Sequence, residues 1–94
     1  MISVIATVQA KPGRGAEVEE DFRAWAEVVK KTEPGTLQYT LSRSRENPDL
    51  FYALELYQDQ AAVDAHMANL HARGGGPPDF FAAAPIIQVL DRVV

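Results

Sequence analysis

The sequence predicts an α+β fold in which two helices cover one face of a four-stranded antiparallel sheet. Four segments have the period of two that is typical of strands. Two of these segments carry apolar side chains on both faces of the predicted strand. Two further segments repeat apolar residues every three or four positions, as amphipathic helices do. Short segments rich in glycine and proline separate them. The predicted order is strand, helix, strand, strand, helix, strand.

The first strand is predicted over residues 2–10, where β-branched residues alternate with polar ones. Pro12 and Gly13 end it, because proline cannot donate to a strand ladder. The first helix is predicted over residues 15–32, with acidic side chains near its amino end and lysines near its carboxyl end, as the helix dipole favours. Its apolar stripe consists of Val18, Phe22, Trp25 and Val29.

The second and third strands are predicted over residues 36–43 and 50–57. The polar segment between them, residues 45–49, predicts an antiparallel hairpin. The third strand is apolar on both faces, since Phe51 and Ala53 alternate with Tyr52, Leu54 and Leu56. We therefore expect the sheet to be covered on both sides.

The second helix is predicted over residues 60–72, with Asp59 as its N-cap. A loop of glycines and prolines follows at residues 74–78, and Pro85 introduces the last strand, residues 86–94. This order repeats a split β-α-β unit, which is the ferredoxin-like fold, and we expect one domain over residues 1–94. The helices leave one apolar sheet face uncovered, so we expect a second copy of the chain to pack there as a homodimer.

Composition limits the possible partners. The net charge is −4, from 13 acidic and 9 basic residues, and no basic cluster is larger than Lys30 with Lys31, so we expect no nucleic-acid partner. The absence of cysteine excludes disulfides, thiol nucleophiles and thiolate metal sites. There is neither a secretory signal nor a long apolar run, so we expect a cytoplasmic protein without a membrane partner.

The two histidines, His66 and His71, both lie on the predicted second helix. At about 100° per residue, His66 shares a side of the helix with Val63 and Met67 and borders the apolar stripe. His71 points well away from His66. A helical metal site needs histidines four positions apart, so this spacing of five, without cysteine, predicts no metal site.

Several short motifs are distributed along most of the chain. In order, they are Lys11-Pro12-Gly13, Glu33-Pro34-Gly35, Tyr39, Asn47-Pro48, the strand around Glu55, and Ala65-His66. In this order and spacing they resemble the antibiotic biosynthesis monooxygenase family, also called quinol monooxygenases, of the dimeric α/β-barrel superfamily. The motifs do not specify a substrate.

The resemblance implies a dimeric α/β barrel with one site per subunit, between the helices and the sheet. Well-known members oxygenate electron-rich polycyclic phenols with molecular oxygen and without metal, flavin or haem. The implied function is a cofactor-independent monooxygenase acting on a small aromatic quinol or polyketide-like substrate. A small-molecule-binding or stress-related dimer without chemistry, and an isomerase on the same fold, are the alternatives.

Other members degrade haem. In those members an asparagine lies on the first strand, near the position of Ala6, and a tryptophan lies on the second helix. In this chain the second helix has no tryptophan. These two departures disfavour haem as a cofactor or substrate.

His66 matches the histidine that recurs in the second helix of the family, which implies a catalytic base or a substrate anchor. Imidazole suits this role because it titrates near neutrality. The alternative is a structural histidine at the border of the helix stripe that hydrogen-bonds a neighbouring carbonyl.

Four further residues are candidates for substrate binding: Tyr39, Asn69, Trp25 and Phe81. Tyr39 can orient a substrate hydroxyl or be a buried tyrosine whose tip reaches water. Asn69 can donate to a phenolate or be a solvated polar residue near the helix end. Trp25 is either a pocket wall or core.

Phe80 and Phe81 follow the glycine and proline loop. They predict either an aromatic flap that closes over a flat substrate or a surface connection held in place by its aromatic side chains. Arg43 and Glu55 are expected to form a cross-strand pair or to lie at the dimer interface, without a catalytic role.

Overall fold

The architecture agrees with the predicted fold. A computed structural model describes residues 1–74 and 76–94. The elements are β1 (Ile2–Gln9), α1 (Gly15–Thr32), β2 (Thr36–Arg43), β3 (Leu50–Tyr57), α2 (Gln60–Arg73) and β4 (Ile86–Asp91). The strands form one antiparallel sheet in the order β2-β3-β1-β4. This order confirms the ferredoxin-like α+β fold.

The largest difference from the predicted elements lies at the end of the chain. β4 ends at Asp91 and not at residue 94, because its partner β1 begins at Ile2 and Ile2 pairs with Asp91. Residues beyond Asp91 therefore have no strand to pair with, and the side chains of Val93 and Val94 are exposed. The periodicity of the β4 segment gives no information about where its partner strand begins.

The start of α2 follows the predicted capping. The Asp59 side chain accepts a hydrogen bond from the backbone N–H of Ala62 at 2.9 Å, which satisfies one of the free donors of the first turn. The helix ends at Arg73, and Gly74 follows with a φ of 73°, a left-handed conformation that glycine adopts without strain. Asp59 is thus confirmed as the N-cap.

The core lies between the helices and one sheet face, in two clusters. One cluster contains Val8, Ala10, Val18 and Phe51, and the other contains Val4, Tyr57 and Val63. Between them, Ala6 of β1 lies directly opposite Ala53 of β3. Two methyl groups fill far less space than the large side chains on either side. The helix-facing side of the sheet is therefore hollow at its centre.

The other sheet face remains apolar and uncovered. Tyr52 and Leu54 on β3 are 37% and 38% exposed, and Ile86 and Leu90 on β4 are 66% and 45% exposed. The register places these side chains on the side opposite the helices. The prediction that β3 is apolar on both faces is confirmed.

No helix in residues 1–74 or 76–94 combines the length and the apolar character needed to cross a bilayer.

Candidate functional site

A cavity of about 650 Å³ occupies the hollow between the helices and the sheet. The opposed Ala6 and Ala53 form part of its sheet-side lining, since their small side chains leave space above them. This volume is within the range of small-molecule sites. The lining includes Val4, Ala6, Tyr39, Ala53 and Glu55 from the sheet, and Phe22, Trp25, His66, Met67 and Leu70 from the helices.

His66 lies inside the protein at this cavity and is only 1% exposed. Its Nδ1 lies 2.8 Å from Oε1 of Glu33, the residue that follows α1. Its Nε2 lies 3.8 Å from Oε1 of Glu55 on β3. The imidazole is therefore held between two buried carboxyl groups and makes its hydrogen bond to a carboxylate, not to a backbone carbonyl.

Glu33 is the group that orients the imidazole. It accepts hydrogen bonds from His66, from the Thr36 hydroxyl at 2.8 Å and from the Asn69 amide at 3.0 Å. Burial by itself would raise the pKa of Glu33, but these hydrogen bonds outweigh burial and hold the pKa below its ordinary value. An ionised carboxylate only accepts, so Nδ1 carries the proton and Nε2 of the neutral ring is an acceptor.

The pKa of Glu55 is shifted in the opposite direction to that of Glu33. It is 7% exposed, and its Oε1 accepts a hydrogen bond from the Tyr57 hydroxyl. Burial raises the pKa of Glu55, and the hydrogen bond from Tyr57 only partly opposes this rise. The site thus combines one carboxyl group that favours the ionised form with one that favours the neutral form.

The raised pKa of Glu55 gives a pH prediction for stability. Between the unfolded pKa of about 4.3 and the higher folded pKa, the native state binds more protons than the unfolded state, so wild-type stability falls as pH rises through this window. Glu55→Gln removes this effect. We expect its Tm relative to wild type to increase with pH across the window, measured by thermal unfolding. A Tm difference that is constant with pH would contradict the prediction.

Tyr39 forms a wall of the cavity beside His66. Its ring stacks on Phe22 with centroids 4.6 Å apart, and lies 5.0 Å from the His66 ring. Burial, together with the negative charges of Glu55 and Glu33, raises the pKa of Tyr39. The phenol therefore keeps its proton at neutral pH and can hydrogen-bond a ligand oxygen.

Trp25 lies on the α1 side of the cavity. Its indole Nε1 is buried, and no acceptor in residues 1–74 and 76–94 meets the geometry of a hydrogen bond with it. The Arg73 guanidinium lies 5.0 Å from the centre of the indole ring and bonds Asp21 of α1. This ion pair connects the two helices beside the cavity.

The structure brings four of the five predicted site residues to the cavity: His66, Tyr39, Trp25 and Phe81. Asn69 is not among the lining residues, because its amide donates to Glu33. His71 is exposed but lines the same cavity one helical turn beyond His66. It was expected to point well away from His66, yet the cavity extends along α2 far enough to include both.

Phe81 is held in place by backbone pairing. Ala10 forms a β-bridge with Phe81, and the N–H of Ala82 donates to the Gln9 carbonyl at 2.8 Å. Phe80 and Phe81 also pack against the core cluster around Val8. These contacts favour the interpretation of Phe80 and Phe81 as a surface connection held in place, and not as a flap that closes over a substrate. The glycine and proline loop before them includes Gly75, which lies outside the described residues.

Glu33 and Glu55 are the functional candidates that the sequence reasoning missed. Glu33 was noted only within the motif Glu33-Pro34-Gly35, and Glu55 was interpreted as a possible partner of Arg43. That pairing is wrong, because Arg43 lies opposite Phe51 and its guanidinium contacts Glu19 at 2.5 Å. A signal for Glu55 was present, since it follows Phe51 and Ala53 on the inward positions of an apolar strand.

Comparisons with known proteins point to one family. The family model of the antibiotic biosynthesis monooxygenases matches residues 1–75. A candidate antibiotic biosynthesis monooxygenase from Caulobacter crescentus is similar in structure, with 36% identity, a TM-score of 0.81, and coverage of 99% of this chain and 90% of that chain. Protein PA3566 from Pseudomonas aeruginosa has 30% identity, a TM-score of 0.78, and coverage of 99% and 94%.

A haem degrader is also similar in fold. MhuD from Mycobacterium tuberculosis, solved with two haems in its active site, has 20% identity and a TM-score of 0.79, with coverage of 100% of this chain and 97% of that chain. At 20% identity, the similarity to MhuD supports a shared fold and no shared activity. No curated protein matches the sequence.

Proposed function

Because the chain belongs to the antibiotic biosynthesis monooxygenase family, we propose that it is a cofactor-independent monooxygenase of a small aromatic quinol or polyketide-like substrate. The observation that carries the proposal is the geometry of His66. Its Nδ1 is bonded to ionised Glu33, which leaves Nε2 as an acceptor in a largely apolar cavity. This is the arrangement that a general base requires.

In the proposed reaction, His66 Nε2 takes a proton from the bound substrate. Glu33 stabilises the imidazolium that forms, as a carboxylate bonded to the opposite ring nitrogen does in other proton-transfer sites. The electron-rich anion passes one electron to O2, and recombination of the radicals forms a C–O bond to a peroxide. The imidazolium returns its proton to the peroxide. Loss of water then gives a quinone, so four electrons from the substrate reduce one O2.

The other lining residues hold the substrate in this proposal. The neutral Tyr39 hydroxyl hydrogen-bonds a substrate oxygen, and Trp25 and Phe81 contact the flat ring system. An apolar lining excludes water, which strengthens the electrostatic interactions of the few polar groups. Asn69 acts through Glu33 and not on the substrate.

The proposal includes no haem. An iron ligand at this site would be His66 Nε2, and the Glu55 carboxyl already faces that nitrogen at 3.8 Å. Ala6, near the asparagine position of haem degraders, contributes only a methyl group to the cavity. Addition of haemin should therefore leave the haem absorption spectrum unshifted, and a shifted band with stoichiometric binding would contradict this part of the proposal.

Oxygen uptake tests the proposed function. Purified protein with a metal chelator is mixed with a panel of hydroquinones and anthrones, and an oxygen electrode follows the reaction. We expect uptake of one O2 per quinone formed, without release of hydrogen peroxide. Ligand binding without uptake would favour a non-catalytic dimer, and substrate conversion without uptake would favour an isomerase.

We also propose that the chain forms a homodimer through the open sheet face. Exposed apolar side chains on β3 and β4 support it, because a monomer would leave this whole face in water. Light scattering of the wild type should give twice the chain mass. Leu54→Glu, which places a charge in the proposed interface, should give a monomer that keeps its circular dichroism spectrum.

Val28→Glu provides the matched control for the dimer. Val28 lies on α1 and is 43% exposed, similar to the 38% of Leu54, but it is far from the open face. This variant should remain dimeric. A dimer in both variants would place the interface elsewhere.

A further inference from the structure

Glu55 is a buried group that the proposed proton abstraction does not use. Its side chain is 5% exposed and lines the cavity. The Tyr57 hydroxyl donates to Oε1, whereas Oε2 has no hydrogen-bond partner in the described part of the chain. Oε2 is not fully buried, so it is open to the cavity and can contact a ligand or water there.

The groups around Glu55 come from four parts of the fold. Tyr39 lies opposite it on β2, Tyr57 lies on the same strand, His66 approaches from α2, and Glu33 follows α1. Glu33 lies on the other side of the imidazole, where its negative charge disfavours a second negative charge on Glu55. Both tyrosines also remain protonated, since burial raises the pKa of each. This environment favours the neutral form of Glu55 and the ionised form of Glu33.

Two carboxyl groups in such different environments are typical of paired acid and base roles. Glu33 makes His66 an acceptor, and a neutral Glu55 has one O–H to donate. The two functional atoms are close, with His66 Nε2 only 3.8 Å from the Glu55 carboxyl. A single imidazole cannot accept and donate a proton in the same step, so a reaction that needs both requires a second group.

We propose that Glu55 is the general acid of this site, which donates the proton of Oε2 to the leaving oxygen when the O–O bond of a substrate hydroperoxide breaks. This inference rests on the proposed monooxygenase function and identifies a second catalytic residue for it. The expected substrate class is one that forms a hydroperoxide on a carbon that still carries a hydrogen, as an anthrone or a hydroquinone does.

The step balances with His66 as base and Glu55 as acid. His66 Nε2 removes the hydrogen of the hydroperoxide carbon as a proton, and the C–H electron pair becomes the second bond of the new carbonyl. The O–O bond breaks, and its electron pair leaves with the distal oxygen, which takes the proton of Glu55 and departs as water. The carbon loses two electrons and the peroxide gains two. Return of the proton from the imidazolium to the Glu55 carboxylate restores the starting state.

Glu55→Gln tests this role, because an amide can still accept from Tyr57 but has no acidic proton to give. With an anthrone as substrate, the wild type should form quinone without peroxide. We expect the variant to keep most of its initial oxygen uptake and to form quinone at least about tenfold more slowly. The substrate hydroperoxide should accumulate, which mass spectrometry of quenched samples and a peroxidase assay detect.

Glu55→Asp separates the acid role from a structural role. It keeps an acidic proton on a shorter side chain, so it should restore part of the quinone formation that Glu55→Gln loses. Quinone formation in Glu55→Gln at the wild-type rate, without accumulated hydroperoxide, would overturn the role of Glu55 and leave the proposed function intact. A wild type without oxygen uptake would overturn both.

Infrared spectroscopy gives a readout that does not depend on turnover. A neutral carboxyl group has a C=O stretching band that a carboxylate lacks. At neutral pH the wild type should have such a band, and Glu55→Gln should lack it. Identical spectra in this region would show that Glu55 is ionised, which would overturn its role as the acid.

Discussion

Replacement of His66 by alanine should lower kcat at least about tenfold with an electron-rich hydroquinone or anthrone, because general-base catalysis is lost. The imidazole is fixed by Glu33 with Nε2 accessible to proton transfer, and no other neutral nitrogen base lies between the two carboxyl groups in the described residues. KM should change less than kcat, since Tyr39, Trp25 and Phe81 still form the binding surface. Steady-state oxygen uptake measures both constants.

Asp64→Ala is the control for His66→Ala. Asp64 is an exposed residue of the same helix and bonds only Gln60 among the described residues. Its kcat should remain within about twofold of wild type, as expected of surface positions away from a site. If His66→Ala retained the wild-type kcat, His66 would be a structural histidine and the base would have to be another group.

Glu33→Ala should produce the largest loss of stability among the single changes considered. Its carboxylate accepts hydrogen bonds from His66, Asn69 and Thr36, and removal of one partner of a buried polar network leaves the others unsatisfied. We expect a loss of about 3 kcal/mol in the free energy of unfolding. Urea denaturation measures this loss directly.

The pH dependence identifies the cause of that loss. The pKa of Glu33 is lowered in the folded state, so its stabilising contribution is present above the unfolded pKa and disappears as pH falls through the folded pKa. The difference between wild type and Glu33→Ala should therefore shrink in acid. Glu27→Ala, at an exposed position of α1, should change stability by no more than about 0.5 kcal/mol. Equal stabilities of the two variants would contradict the buried network.

The elements of the fold were predictable because their signals are local. The apolar stripe of α1, the alternation in β1 and the cap at Asp59 depend on residues within a few positions of each other. The end of β4 was not predictable in this way, because it depends on where β1 begins. Local periodicity identifies an element, and pairing between distant segments sets its length.

The site was only partly predictable for the same reason. His66 is found from its place beside an apolar stripe, but its partner Glu33 is 33 positions away in sequence. The cavity itself depends on Ala6 and Ala53 meeting across two strands, which requires the strand order and register. Glu55 was the exception, since strand alternation alone placed its carboxyl group among inward apolar residues.

Ala6 and Ala53, which lie opposite each other beneath the cavity, determine its depth. The imidazole and the carboxyl groups beside it belong to other residues. Exchange of either methyl for an isopropyl group would make the compartment shallower without altering the imidazole or its acidic neighbours. Under the proposed function, the thickness of the substrate and the transfer of its proton would therefore be set by different residues.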